Sequence, residues 1–172
     1  MRSSTLFTIG YEGSSIADFR AALEAAQIKL VIDVRDVPIS RKRGFSKTAL
    51  ATWLASAGIC YLHLKGLGDP KPGRNAAREG RFADFRRIFA AHLASDKAQA
   101  DLARAVEAAV DNRACLLCFE RDHHNCHRCM VAEAMTQRRG LKLVHLGVRS
   151  GLATNRIPAF DCAHGGAPAI LG

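Results

Sequence analysis

The stretch ACLLCFERDHHNCHRCMVAEAMTQRRGLKLVHL, residues 114–146, decides the fold. Its first six residues, 114–119, are almost wholly apolar and read as a buried strand. A polar loop follows, and then CHRCMVAEAMTQRRG reads as a helix closed by Gly140, a residue suited to the left-handed C-cap. LKLVHL, 141–146, is a second apolar strand. Two strands joined through a helix run parallel, and strands that are apolar throughout are covered on both faces.

The same alternation extends towards the N-terminus. LFTIG (6–10) is a strand ending at glycine. The next segment is a helix in which Ser15 can cap, with Asp18 three residues on, and Ile16, Phe19 and Leu23 recur at helical spacing. KLVIDVRDVP (29–38) is a strand that runs into charge and proline. SKTALATWLASAG is a helix between Ser46 and Gly58, with Leu50, Trp53, Leu54 and Ala57 on its apolar face. ICYLHL (59–64) is a third strand, and helices are expected at about 82–95 and 97–111. Residues 65–81, KGLGDPKPGRNAAREGR, break the pattern with glycines, prolines and basic residues, and read as a long basic loop able to act as a mobile lid. The expectation is an α/β fold: one compact, Rossmann-like, three-layer domain with a mostly parallel sheet of about five strands and helices on both faces. Residues 1–147 form that domain, and the Gly-, Ala- and Pro-rich tail 148–172 packs loosely on it.

The chain has 172 residues, 48% of them hydrophobic, which suits one domain with a real core and excludes disorder as the default state. The formal net charge is +9 and the pI about 9.7. That balance favours phosphate-bearing partners, nucleotides or nucleic acid, although a generically arginine-rich surface would give the same total. No apolar run is long enough to cross a membrane, and MRSSTLFTIGYEG lacks a signal-peptide core, so a cytoplasmic location without membrane partners is expected. The six cysteines, at 60, 115, 118, 126, 129 and 162, are read as free thiols or ligands rather than disulfides.

In parallel α/β sheets, ligands bind beyond the carboxyl ends of the strands. Those ends carry Gly10-Tyr11-Glu12, Asp33-Val34-Arg35, Lys65-Gly66 and Cys118-Phe119-Glu120, whereas the strand starts carry little. The pattern C-x2-C, seven residues, C-x2-C at 115–129 is similar to a zinc site. Cys115 and Cys118, three apart on a strand, face opposite sides of the sheet, which argues against a four-cysteine centre. A smaller set of Cys118, His123, His124 and Cys126 stays open, and no metal ligand is assigned. Cys126 at a helix start should be a reactive thiol titrating below the free value of roughly 8.5, with His127 and Arg128 on the first turn. Arg128 could grip an anion bidentately or pair with Asp33 or Glu120. Glu120, one residue past a strand, is placed for proton transfer. Arg35 should hold ligand more than it holds the fold. Lys42 lies in a basic turn on the same edge. His123 and His124 read as solvated, His63 and His145 as core histidines, and Phe45 and Trp53 as core.

TIGYEG, IDVRDVPISRKRGFSKTAL, GICYLHLKGLG and LLCFERDHHNCHRCMVAEAM with LVHLG together resemble the family called domain of unknown function 488, over roughly residues 5–147. The C-x-E of Cys118 and Glu120 and the CHR of Cys126–Arg128 are its most specific parts. The resemblance implies a compact α/β domain and, by motif position, marks Asp33, Arg35, Cys118, Glu120, Cys126, His127 and Arg128. Many members have CAEK where this chain has CFER, so the larger Phe119 would reshape the pocket. IDVR is also similar to the end of a rhodanese strand, an analogy of fold only.

Taken together, these readings favour an enzyme acting on a nucleotide or nucleic acid. Glu120, Cys118 and Cys126 are its candidate catalytic residues, and Tyr11, Asp33, Arg35, Lys42, His127 and Arg128 its candidate substrate- or anion-binding residues. A thiol-dependent sulfurtransferase or redox enzyme and a non-catalytic metal- or nucleic-acid-binding module are the alternatives. A metal cofactor is possible and not favoured.

Overall fold

A computed structural model describes residues 4–154. Within them the order is β1 (Thr5–Gly10), α1 (Ile16–Ala25), β2 (Leu30–Asp33), α2 (Lys47–Ser56), β3 (Cys60–His63), α3 (Lys71–Arg78), α4 (Phe82–Leu93), α5 (Asp96–Asp111), β4 (Ala114–Cys118), α6 (His127–Arg139) and β5 (Lys142–Leu146). Short 3-10 turns at Lys65–Leu67 and His123–Asn125 precede α3 and α6. The five strands form one parallel sheet in the order β3-β2-β4-β1-β5.

Strand alternation divides the core in two. Leu6, Leu30, Ile32, Ala114, Leu116 and Cys118 face one side, where they meet Phe85, Phe89, Leu102, Val131 and Met135 from α4, α5 and α6. Phe7, Ile9, Val31, Cys115 and Leu117 face the other, against Phe19, Leu23, Leu50 and Leu54 from α1 and α2. The three-layer expectation therefore holds, and Cys115 and Cys118 lie on opposite faces. Phe45 is fully buried, whereas Trp53 is half-buried with the Arg20 guanidinium 4.5 Å from its ring centre.

The connections explain where the site lies. The chain leaves β1 through α1 on one face and moves towards β2. It leaves β4 through α6 on the other face and moves outwards to β5. Neighbouring strands β1 and β4 thus send their connections in opposite directions, and a crevice opens beyond their carboxyl ends. Gly10 and Cys118 are register partners at its floor.

One expectation fails. Residues 65–81 are not a long loop, because Lys71–Arg78 is helical and Leu67, Gly68 and Asp69 are buried. Pro72 occupies the first turn, where its missing N–H costs nothing, so the proline that suggested a break marks a helix start instead. Gly68 is needed for close approach: a Cβ there would lie 2.4 Å from the Asp36 backbone. Of the tail, residues 148–154 pack on α1, with Val148 and Leu152 in the core and the Gly151 and Ala153 amides donating to Asp18. The rest of the expected tail lies outside the described residues.

Candidate functional site

A cleft of about 860 Å³ opens at the carboxyl ends of β1, β2 and β4. Its floor is Tyr11, Arg35, Cys118, Phe119, Glu120 and His127. One wall is the segment from Asp36 to Lys42, and the other is Asp69 with Arg74 and Arg78 of α3. Sequence reasoning placed Tyr11, Arg35, Lys42, Cys118, Glu120 and His127 on this edge, and the structure brings these six together. It set the basic segment 65–81 over the site without singling out Asp69, Arg74 and Arg78. Their signal was present, since Arg74 and Arg78 are four apart and share one face once the segment is helical.

At the centre, two thiols converge on one carboxylate oxygen. Cys118 Sγ lies 3.0 Å and Cys126 Sγ 3.2 Å from Glu120 Oε2. His127 Nδ1 lies 3.6 Å from Cys118 Sγ and 4.0 Å from Cys126 Sγ. Nε2, which is 4.0 Å from Cys118 Sγ, donates to the Val34 carbonyl at 2.8 Å. Glu120 is held through its backbone: Arg128 donates to the Glu120 carbonyl, to the Arg121 carbonyl at 3.3 Å and to Thr8 Oγ1 at 3.2 Å. Gly10 makes room for this, because an added Cβ would stand 1.7 Å from the Glu120 carbonyl oxygen.

Two expectations are corrected here. Arg128 is 1% exposed, does not line the cleft and bonds to main-chain carbonyls, so it positions the Glu120 loop instead of meeting a ligand. Cys126 does sit at the N-cap of α6, but burial and the adjacent Cys118 push its thiol well above the free value. The helix dipole acts at a solvated end, and here desolvation wins. Burial also raises Cys118. Burial would raise Glu120 as well, yet the Cys118 thiol and the His127 charge outweigh it and hold the carboxyl below its ordinary value. Burial disfavours a charged His127, but its bonds to Cys126 and the Val34 carbonyl and the Glu120 carboxylate carry it up to about 9. Asp69, whose Oδ1 is buried without a hydrogen bond, is pushed up to about 6 by burial.

Asp33 and Arg35 form a buried pair. Arg35 Nη2 meets Asp33 Oδ2 at 2.7 Å and Nε meets Oδ1 at 2.9 Å, while Nη1 donates to the Phe45 carbonyl and the Tyr11 hydroxyl. Asp33 also accepts from Tyr61 and does not line the cleft. Tyr11 stacks on Phe45 at 4.3 Å and meets Phe119 edge-on at 5.3 Å. Phe119 itself is 45% exposed.

The cysteines at 115 and 129 do not join Cys118 and Cys126. Cys129 lies instead with His123 and His145, outside the cleft. His123 is not solvated but stacks on His145 with ring centres 3.6 Å apart, and His145 bonds Thr8 Oγ1 at 2.7 Å. His124 is exposed, as read, and His63 is half-buried against the Arg35 carbonyl.

The model of one family, Domain of unknown function DUF488, matches residues 15–135. The chain belongs to this family. The DUF488 match covers α1 through most of α6, so it contains every cleft residue except Tyr11 at the end of β1. No curated protein and no solved structure matches the chain. Among the described residues no helix is long and apolar enough to cross a membrane.

Proposed function

We propose that this DUF488 chain is an enzyme acting on a nucleotide or nucleic-acid substrate held in the cleft. The observation that carries the reading is the pairing of an exposed aromatic face with a cationic rim over a floor of half-buried Glu120 and buried His127 and Cys118. Phe119 offers a base a stacking surface, with the apolar Val37 and Ile39 beside it, 50% and 75% exposed. Arg41, Lys42 and Arg78 line the cleft and enter no ion pair among the described residues, which supports a role in meeting phosphate, while Arg74 is paired with Asp36 at 2.7 Å. Glu120, held ionised, is a poor proton donor, so its role is that of general base or counter-charge to positive charge developing on the substrate. His127, carrying the proton, is the candidate acid.

Sulfur chemistry is the second reading, favoured because Cys118 and Cys126 share one Glu120 oxygen. Burial that keeps both thiols protonated weighs against it. Fluorescence titration with adenosine triphosphate and with short single-stranded DNA and RNA tests the first reading. Binding should weaken by about 1–3 kcal/mol in Phe119→Ala, the range for loss of one base–aromatic stack. Equal binding by wild type and Phe119→Ala, or no binding at low salt, would remove the nucleotide reading.

A further inference from the structure

We propose that Cys118, Glu120, Cys126 and His127 form a binding site for a divalent transition-metal ion of the zinc class. Their donor atoms, two sulfurs, an imidazole nitrogen and a carboxylate oxygen, all lie within 4.8 Å of one another. Zinc bonds sulfur at about 2.3 Å and nitrogen or oxygen at about 2.0–2.2 Å, so a tetrahedral centre sets its donors about 3.3–3.8 Å apart, sulfur–sulfur pairs widest. The observed sulfur–nitrogen separations are 3.6 and 4.0 Å, and the sulfur–oxygen separations are 3.0 and 3.2 Å. An ion entering between them would spread the sulfur–oxygen pairs by about half an ångström and draw in the wider pairs, none of which exceeds 4.8 Å, so the side chains must adjust around it.

The outer partners are those a metal centre uses. A ligating histidine typically donates its other ring N–H to a carbonyl or carboxylate, which fixes the tautomer and aims the free nitrogen. His127 does this through Nε2 to Val34 at 2.8 Å, which leaves Nδ1 3.6 and 4.0 Å from the two sulfurs; Nε2 is itself 4.0 Å from Cys118 Sγ, so the ring must turn to aim Nδ1 at an ion. The backbone of Glu120 is clamped by Arg128, so the carboxylate is delivered from a fixed loop. The donors come from a strand end, a loop, a helix cap and a first helical turn, each already packed. Two thiols and an imidazole select zinc, cobalt or ferrous iron over magnesium or calcium, which require oxygen shells.

The centre would open towards the cleft. Cys118, Glu120 and His127 line it, while Cys126 lies behind. Glu120 is only half-buried, unlike the other three, and is the ligand a substrate oxygen could displace. The inference does not depend on the nucleotide reading: an ion bound to His127 would replace the proton that makes it an acid in that reading, and metal content and spectra are measured without substrate.

Reduced full-length protein, loaded with Co²⁺ under argon, provides the test. One cobalt per chain should bind, with a sulfur-to-cobalt charge-transfer band and the strong visible bands of a tetrahedral ion. Stoichiometric Zn²⁺ should displace them. Cys126→Ser and His127→Gln should each weaken binding by more than about 100-fold, beyond the 10–100-fold typical of lost outer partners. Cys129→Ser, outside the set, should leave the spectrum unchanged. Should those variants fail to fold, the wild-type spectrum still decides: absence of the sulfur band overturns the proposal. So does loss of the spectrum in Cys129→Ser, which would place the ion at His123, Cys129 and His145. A reduced chain that binds no cobalt and closes a Cys118–Cys126 disulfide in air would also overturn it, in favour of a redox pair.

Discussion

Arg35 marks the difference between where a residue lies and what it does. Its place past β2 was legible, because IDVR is an apolar strand ending in opposite charges. Its burial was not, because Tyr11 and the Phe45 carbonyl, distant in sequence, help to supply it. In the folded chain it is 5% exposed and meets Asp33, Tyr11 and the Phe45 carbonyl. Burial disfavours its charge, but Asp33 raises the guanidinium pKa further above its ordinary value. Removing one partner of such a pair leaves the other charge buried and uncompensated. Arg35→Ala should therefore destabilise by about 3–5 kcal/mol, whereas Lys42→Ala should stay within about 0.5 kcal/mol. Urea denaturation of both variants checks this, and equal midpoints would return Arg35 to a ligand-holding role alone. Cys126 was misjudged by the same kind of rule. Its spacing located the helix start and aimed it towards Glu120, where the sulfur indeed lies 3.2 Å from Oε2, but no spacing reveals that the sulfur is buried.

At the scale of elements, strands and long helices were readable from apolar runs and caps: Ser15 bonds the Asp18 amide at 3.0 Å, and Gly140 closes α6 with φ of 60°. The errors fall where local composition and tertiary packing disagree. Glycines and prolines made 65–81 look like a loop, yet Gly68 and Gly73 are there for close contact with Asp36 and Asp69. The tail shows a similar override. Asp18, on the first turn of α1, accepts from the Gly151 amide at 3.0 Å and the Ala153 amide at 2.8 Å, tying residues 148–154 to the helix. Those backbone bonds hold its carboxyl below the ordinary aspartate value. A depressed acid stabilises the folded state above its unfolded pKa of about 3.9, and the contribution fades as pH falls through the lower folded value. Asp18→Ala should speed amide exchange at Gly151 and Ala153 at pH 7 and leave α6 amides unaffected. The gap in stability between variant and wild type should narrow as acid is added. A gap that widens towards acid would mean that some other group ties the segment.

For the whole molecule, alternation of strand and helix made the layers legible, but nothing in the sequence states the order β3-β2-β4-β1-β5 that opens the crevice between β1 and β4. That order also decides what the net charge of +9 can mean. A generically basic surface would bind polyanions with every cation contributing alike. A site at one sheet edge would concentrate the effect in Arg41, Lys42 and Arg78 on the cleft rim. Lys29 and Lys142, exposed at the opposite edge where β2 and β5 begin, supply the control. For a single-stranded oligonucleotide, log K falls with log salt by about 0.7 per phosphate neutralised. Replacing Arg41, Lys42 and Arg78 with alanine should reduce that slope by roughly 2. Replacing Lys29 and Lys142 should leave it unchanged, because their charges lie beyond the screening distance of about 8–10 Å from a strand held in the cleft. Binding isotherms between 50 and 200 mM salt, roughly the span over which such contacts weaken measurably, provide the comparison. Equal slope changes from the two sets would assign the affinity to overall charge and detach it from the cleft.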